Sequence, residues 1–103
     1  MVSFDFNAET GTMTAKFSGR MDTLAIQKIS ESLEIHLPKK DQIDRGAIIF
    51  DLAEVDYIAS SFIRICVQMA KEAGPGRFSI INTQPFVKKT FKISGLDEVL
   101  RVL

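Results

Sequence analysis

Two adjacent serines, Ser60 and Ser61, are the residues of this chain whose type and position best suit chemistry. They fall where an apolar helical pattern begins (Phe62, Ile63, Cys66, Met69, Ala70, Ala73), and Glu54 and Asp56 precede them. A helix start has unpaired N–H donors and the positive end of the helix dipole, so the fold would tolerate a phosphate added to a serine there. The phosphate would place nearly two negative charges on an exposed patch beside Glu54 and Asp56. The plainer role for one of the pair is an ordinary N-cap, accepting from N–H groups of the first turn. Spacing alone leaves both readings open.

Other reactive side chains lack the company their chemistry needs. The single histidine, His36, stands at the end of a helical pattern, where an imidazole favours the negative end of the dipole, and no serine is placed to use it. The single cysteine, Cys66, is flanked by Ile65 and Val67 on an apolar face, which suits a buried thiol and not a nucleophile. Gly74-Pro75-Gly76 is no phosphate loop, because no Gly-Lys-Ser/Thr follows and it ends a helix instead of opening one. Lys39-Lys40 and Lys88-Lys89 are too short and too poor in aromatics for a nucleic-acid stripe. Asp51, Glu54 and Asp56 cluster without histidine or cysteine, and read as a solvated strand-to-helix loop. No catalytic residue, metal ligand or cofactor is assigned.

The elements that must position Ser60 follow from periodicity. Val2, Phe4 and Phe6 alternate with polar residues, Glu9-Thr10-Gly11 is a turn signal, and Met13, Ala15 and Phe17 alternate again, which predicts an antiparallel hairpin. Asp22 is a natural N-cap for a helix over about Thr23 to Leu37, carried by Ile26, Ile29, Leu33 and Leu37 and stopped by Pro38. Pro38 to Gly46 reads as an exposed loop. Ala47 to Leu52 is a continuous apolar run, which predicts a central strand covered on both faces. A helix then starts at Ser60 or Ser61 and ends at Gly74-Pro75-Gly76. Arg77 to Asn82 predicts a fourth strand, and Pro85 opens a third helix whose inner stripe is Phe86, Val87, Thr90 and Phe91. Gly95 closes it, and Leu96 to Leu103 is a short terminal segment. The expected fold is α/β: a small mixed sheet, an N-terminal antiparallel hairpin plus parallel strands, with three packed helices in one domain over residues 1–103.

Composition narrows the function classes. Length fits one domain, and 46% hydrophobic residues suffice for a core. The 13 Lys+Arg balance the 13 Asp+Glu, so no global field draws nucleic acid or an anionic membrane. One cysteine allows no internal disulfide, and neither a leader nor a spanning stretch is visible. These features predict a cytoplasmic protein without membrane insertion, recognised through a local patch.

Several segments then carry a pattern. Gly19-Arg20-Met21-Asp22 opens the first helix. Ile48-Ile49-Phe50-Asp51-Leu52 and Val55-Asp56-Tyr57-Ile58 lead to Ala59-Ser60-Ser61-Phe62, and Asn82, Pro85 and Ser94-Gly95-Leu96 follow. In this order and over nearly its whole length, the chain resembles the STAS domain family, and within it the bacterial anti-sigma factor antagonists. Those proteins have Gly-x-Leu-Asp at the first position and Asp-Ser-Ser-Gly at the serine pair, so Met21, Ala59 and Phe62 are departures. The resemblance implies a non-enzymatic partner switch. The unmodified antagonist binds an anti-sigma factor that is also a serine kinase. Phosphorylation of the first serine, here Ser60 ahead of Ser61, ends the binding, and a phosphatase restores it. The implied partner-binding surface comprises Asp22, Asp56, Tyr57, Ala59, Ser60, Ser61 and Phe62. Ala59 lacks the charge the family has beside its acceptor, and Phe62 adds bulk where a partner approaches unless its ring turns inward. The family also includes constitutive docking subunits of lipid-transport ABC ATPases, parts of signalling scaffolds and ligand-binding forms. Whether the chain pairs with a second copy stays open.

Overall fold

The computed structural model describes residues 2–36, 47–74 and 76–103. Alternation of apolar and polar residues forms β1 (Val2–Asn7) and β2 (Thr12–Met21), paired antiparallel from Val2↔Phe17 to Asn7↔Thr12. The Asn7 side chain shapes the turn by accepting from the Glu9 N–H at 3.0 Å. α1 (Thr23–His36), β3 (Ile48–Ile58), α2 (Ser60–Ala73), β4 (Phe78–Ile81) and α3 (Pro85–Ile93) follow. The four strands lie in chain order across one sheet, β1-β2-β3-β4. β3 pairs parallel with both β2 and β4, so the sheet is mixed, as the alternation of strands and helices requires. The expected stop at Pro38, the loop to Gly46 with Lys39-Lys40, and Pro75 lie outside the described residues.

Cross-strand neighbours share a face, so Phe4, Ala15, Phe50 and Ile80 form one row of the apolar side. α1 covers that core with Ile26, Ile29 and Leu33, and α2 with Phe62, Cys66 and Ala73. Val87 and Phe91 of α3 complete it, with Leu100 and Val102. The terminal segment does more than trail away. The Leu103 N–H donates to the Ile80 carbonyl at 2.8 Å, and Val102 bridges Ile80 in parallel, which lengthens the sheet beyond β4.

Three expectations need correction. β3 does not end at Leu52 but runs to Ile58. Its pairing jumps from Lys16↔Asp51 to Ser18↔Glu54 and from Gly19↔Val55 to Arg20↔Tyr57, so β3 carries one extra residue at each place. Its buried positions are therefore Ile48, Phe50, Leu52, Val55 and Ile58, and the change of spacing from two to three resembles a loop in sequence. The first bulge is held by side chains: the Asp51 carboxylate accepts from the Ala53 N–H at 3.0 Å, and Gln84 Nε2 donates to the Ala53 carbonyl at 2.9 Å. Second, β3 is not covered on both faces, since Ile49 and Asp51 on the reverse side are only half-buried. Third, Phe86 is not on the inner stripe of α3 but 64% exposed. Val87 and Phe91, four apart, take that stripe, and the preceding residue is turned about 100° away.

The central aromatic cluster is built on Phe50, whose ring lies 4.8 Å from Phe17, 5.0 Å from Phe78 and 6.2 Å from Phe62, centre to centre. Phe62 also meets Phe17 edge-on at 5.2 Å. Truncating Phe62→Ala is expected to cost ~3–5 kcal/mol of unfolding free energy in a urea titration. Phe86→Ala should change it by less than about 0.5 kcal/mol. Similar losses from the two variants would contradict the assigned burial.

Candidate functional site

The serine pair is placed by the way two parallel strands end. β2 and β3 run side by side to Met21↔Ile58, and the Ala59 N–H then donates to the Met21 carbonyl at 2.8 Å. Each strand passes directly into a helix, so the N-termini of α1 and α2 emerge together at the carboxyl edge of the sheet. In α/β folds this edge is where binding groups collect. Gly19 makes the approach to it: its φ of +92° lies in the left-handed region, beside the second bulge, where an L side chain would strain the backbone.

At the α1 start, Asp22 behaves as expected of an N-cap, with Oδ1 accepting from the Ala25 N–H at 2.9 Å. Its Oδ2 lies 3.9 Å from Arg20 Nε. The Arg20 guanidinium stacks over the Tyr57 ring, 4.1 Å from the centroid, because Arg20 and Tyr57 are neighbours in the β2–β3 register. Arg20 is the residue sequence reasoning missed. Its partners lie two residues on and on another strand, and the register that joins it to Tyr57 exists only because of the bulges. Asp56 is exposed and Tyr57 half-buried in the same region.

At the α2 start, the N-cap is Ala59, not a serine, with φ −93° and ψ 166° and no side-chain cap. Ser60 is the first helical residue and is exposed. Ser61 is half-buried; its Oγ is fully covered and has no hydrogen-bond partner among the described residues. The capping reading therefore fails for both serines, because their backbone is already helical and a cap must precede the helix. Phe62, expected on the partner-binding surface, is 0% exposed with its ring turned into the aromatic cluster. It contributes packing, and the bulk expected against a partner is absent from the surface. The structure thus joins Arg20, Asp22 and Tyr57 by contact and sets Ala59 and Ser60 at the end of the same strand pair, with Asp56 exposed in β3 before them, and it withdraws Phe62 and the Ser61 hydroxyl.

The remaining reactive groups are elsewhere. Cys66 is buried in α2, and burial pushes its thiol well above the ordinary cysteine range. His36 falls at the end of α1, as expected. Among the described residues no three His, Cys, Asp or Glu side chains gather as a metal site, and no helix is long and apolar enough to cross a membrane.

Comparison with known proteins places this geometry. The STAS domain family profile matches residues 3–102. A putative anti-sigma factor antagonist, BtrV of Bordetella bronchiseptica, is 31% identical over 77 residues, which is 71% of this chain and 65% of that protein. The chain thus spans somewhat under two thirds of that relative's length. Among solved structures, an anti-sigma factor antagonist from Mycobacterium paratuberculosis superposes with a TM-score of 0.76 at 16% identity, covering 99% of this chain and 85% of that one. The unphosphorylated form of the antagonist SpoIIAA gives 0.70 at 18% identity, covering 100% and 88%. The phosphorylated form of SpoIIAA from Bacillus gives 0.66 at 18%, covering 100% and 91%. At these identities the superpositions establish the fold.

The two serines are separable by stability alone. Ser61→Ala removes a covered hydroxyl that has no partner, so it should leave stability unchanged or raise it by up to about 1 kcal/mol in chemical denaturation. Ser60→Ala should be neutral within about 0.5 kcal/mol. A loss of ~1 kcal/mol from either would restore the capping role.

Proposed function

This chain belongs to the STAS domain family, whose anti-sigma factor antagonists are not enzymes, and from that premise we propose that it is a phosphorylation-controlled antagonist of an anti-sigma factor. Its partner is a protein with serine kinase activity, and a phosphatase resets the switch. The face used is Arg20, Asp22, Asp56, Tyr57, Ala59 and Ser60. One observation carries the reading. Ser60 is exposed on the first turn of a helix without a side-chain cap, one residue beyond the Ala59–Met21 hydrogen bond that joins this edge to the start of α1. It has no part in holding the fold.

The chemistry of the switch follows from that position. The Ser60 hydroxyl is open to a kinase, whereas the Ser61 oxygen is covered. A phosphate on Ser60 meets the free N–H groups and positive dipole end of α2, so the domain itself bears the charge without refolding. The cost falls on the partner. It would have to bury nearly two negative charges near Asp22 and Asp56, or lose contact with them. Ala59 removes a carboxylate from beside the acceptor, so recognition rests more on Asp22, Asp56 and the Arg20–Tyr57 stack.

That same alanine favours a second reading, a docking subunit that is never phosphorylated, for example on a lipid-transport ABC ATPase. The attached protein discriminates: a kinase-fold ATPase supports the first reading and an ABC ATPase the second.

Incubation of the full chain with its cognate kinase and ATP, followed by intact-mass measurement, is expected to add one phosphate. Ser60→Ala should take up none, while Ser61→Ala should behave as the wild type. Ser60→Asp should weaken kinase binding by about tenfold or more in titration calorimetry. An unmodified wild type, or full modification of Ser60→Ala, rejects the switch.

A further inference from the structure

The outer side of α3 carries groups that neither the core nor the Ser60 face uses. Phe86 and Ile93 are 64% and 76% exposed. They are seven residues apart, so they project along one stripe. Lys89 flanks that stripe, and Lys92 and Lys88 lie successively farther round the same exposed side. Pro85, the three lysines and Ile93 line an open concavity of about 680 Å³.

This arrangement works against the helix in isolation. Lys88 and Lys92 are four apart and Lys89 and Lys92 three apart, spacings at which like charges repel. The first turn of α3 has no acidic residue, and of the three lysines only Lys92 lies in the last turn, where the dipole favours a cation. Among the described residues none of these three lysines has an acidic partner within salt-bridge distance. In a chain of zero formal net charge, three cations are concentrated on nine residues that also carry two exposed apolar side chains. Apolar anchors rimmed by one sign of charge are the composition of a recognition surface.

We propose that the outer face of α3 is a second docking site, which takes an acidic, apolar-anchored helical segment of another protein. Carboxylates on that segment neutralise Lys88, Lys89 and Lys92, and an apolar side chain enters the concavity against Ile93 and Pro85. Lysines three and four residues apart match carboxylates spaced along one face of a helix, which selects a helical acidic segment. Three lysines on one short helix are too few to follow a nucleic-acid backbone. None of these residues belongs to the Ser60 face, so the chain could hold two proteins at once.

The test titrates the ¹⁵N-labelled full chain with a short helical peptide that carries Leu on one face and Glu on the other. Amide shifts should concentrate on α3. The triple variant Lys88→Gln/Lys89→Gln/Lys92→Gln, which keeps good helix formers at exposed positions, should bind about tenfold more weakly. Ile93→Ser, which keeps all the charges, should also weaken binding. The proposal is overturned if α3 does not respond, or if the same peptide with Gln for Glu binds equally well. A response to phosphatidylserine vesicles but not to the acidic peptide also overturns it and makes the face a membrane contact.

Discussion

The hydrogen bond from the Ala59 N–H to the Met21 carbonyl ends the parallel ladder between β2 and β3, and the placement of the site depends on that ladder. A parallel pair brings both strand ends to one edge, and here each end turns at once into a helix. Asp22 and Ser60 are far apart in sequence but become neighbours because Met21 and Ile58 are paired. Had β3 continued in regular register, the two extra residues would have shifted every later side chain by two places relative to β2. The bulges absorb them, which sets Tyr57 beside Arg20 and leaves the α2 start level with the α1 start.

The core holds this edge in place from below. Phe62 follows the serine pair and is locked among Phe17 and Phe50, so the first turn of α2 is anchored one residue beyond Ser61. The anchored residue and the exposed residue are thus only two positions apart. Ser60 is free to be modified because Phe62 is not free to move. Between them the Ser61 hydroxyl is covered and without a partner among the described residues. An uncapped N-terminus gives up about 1 kcal/mol that a capping side chain would supply. The packing of Phe62 exceeds that loss.

Much of this was legible in the sequence, and the failures have particular physical causes. The hairpin, the Asp22 cap, the strand at Phe78–Ile81 and the helix breaks at Gly74 and Gly95 each rest on a local rule, and they appear as expected. The second half of β3 was hidden because bulges replace the period of two by steps of three. Phe86 was assigned to the inner stripe because a single residue step on a helix is worth about 100°, whereas periodicity put Phe62 on the apolar face, where it is, and only the resemblance put it on the partner surface. The serine cap was misplaced because Ala59, with extended backbone, already fills the capping position. Ser60, Asp22, Asp56 and Tyr57 could be named in advance. Arg20 could not, since its stacking partner is reached only through a non-local, bulged register.

The central claim is that the edge formed by the ends of β2 and β3 is where the regulated partner binds. Hydrogen–deuterium exchange of the full chain, alone and with its cognate anti-sigma factor, tests it most directly. Slowed exchange is expected over residues 20–24 and 56–64, with β1 and β4 unchanged. Slowed exchange confined to other segments, with residues 56–64 unaffected, would contradict it.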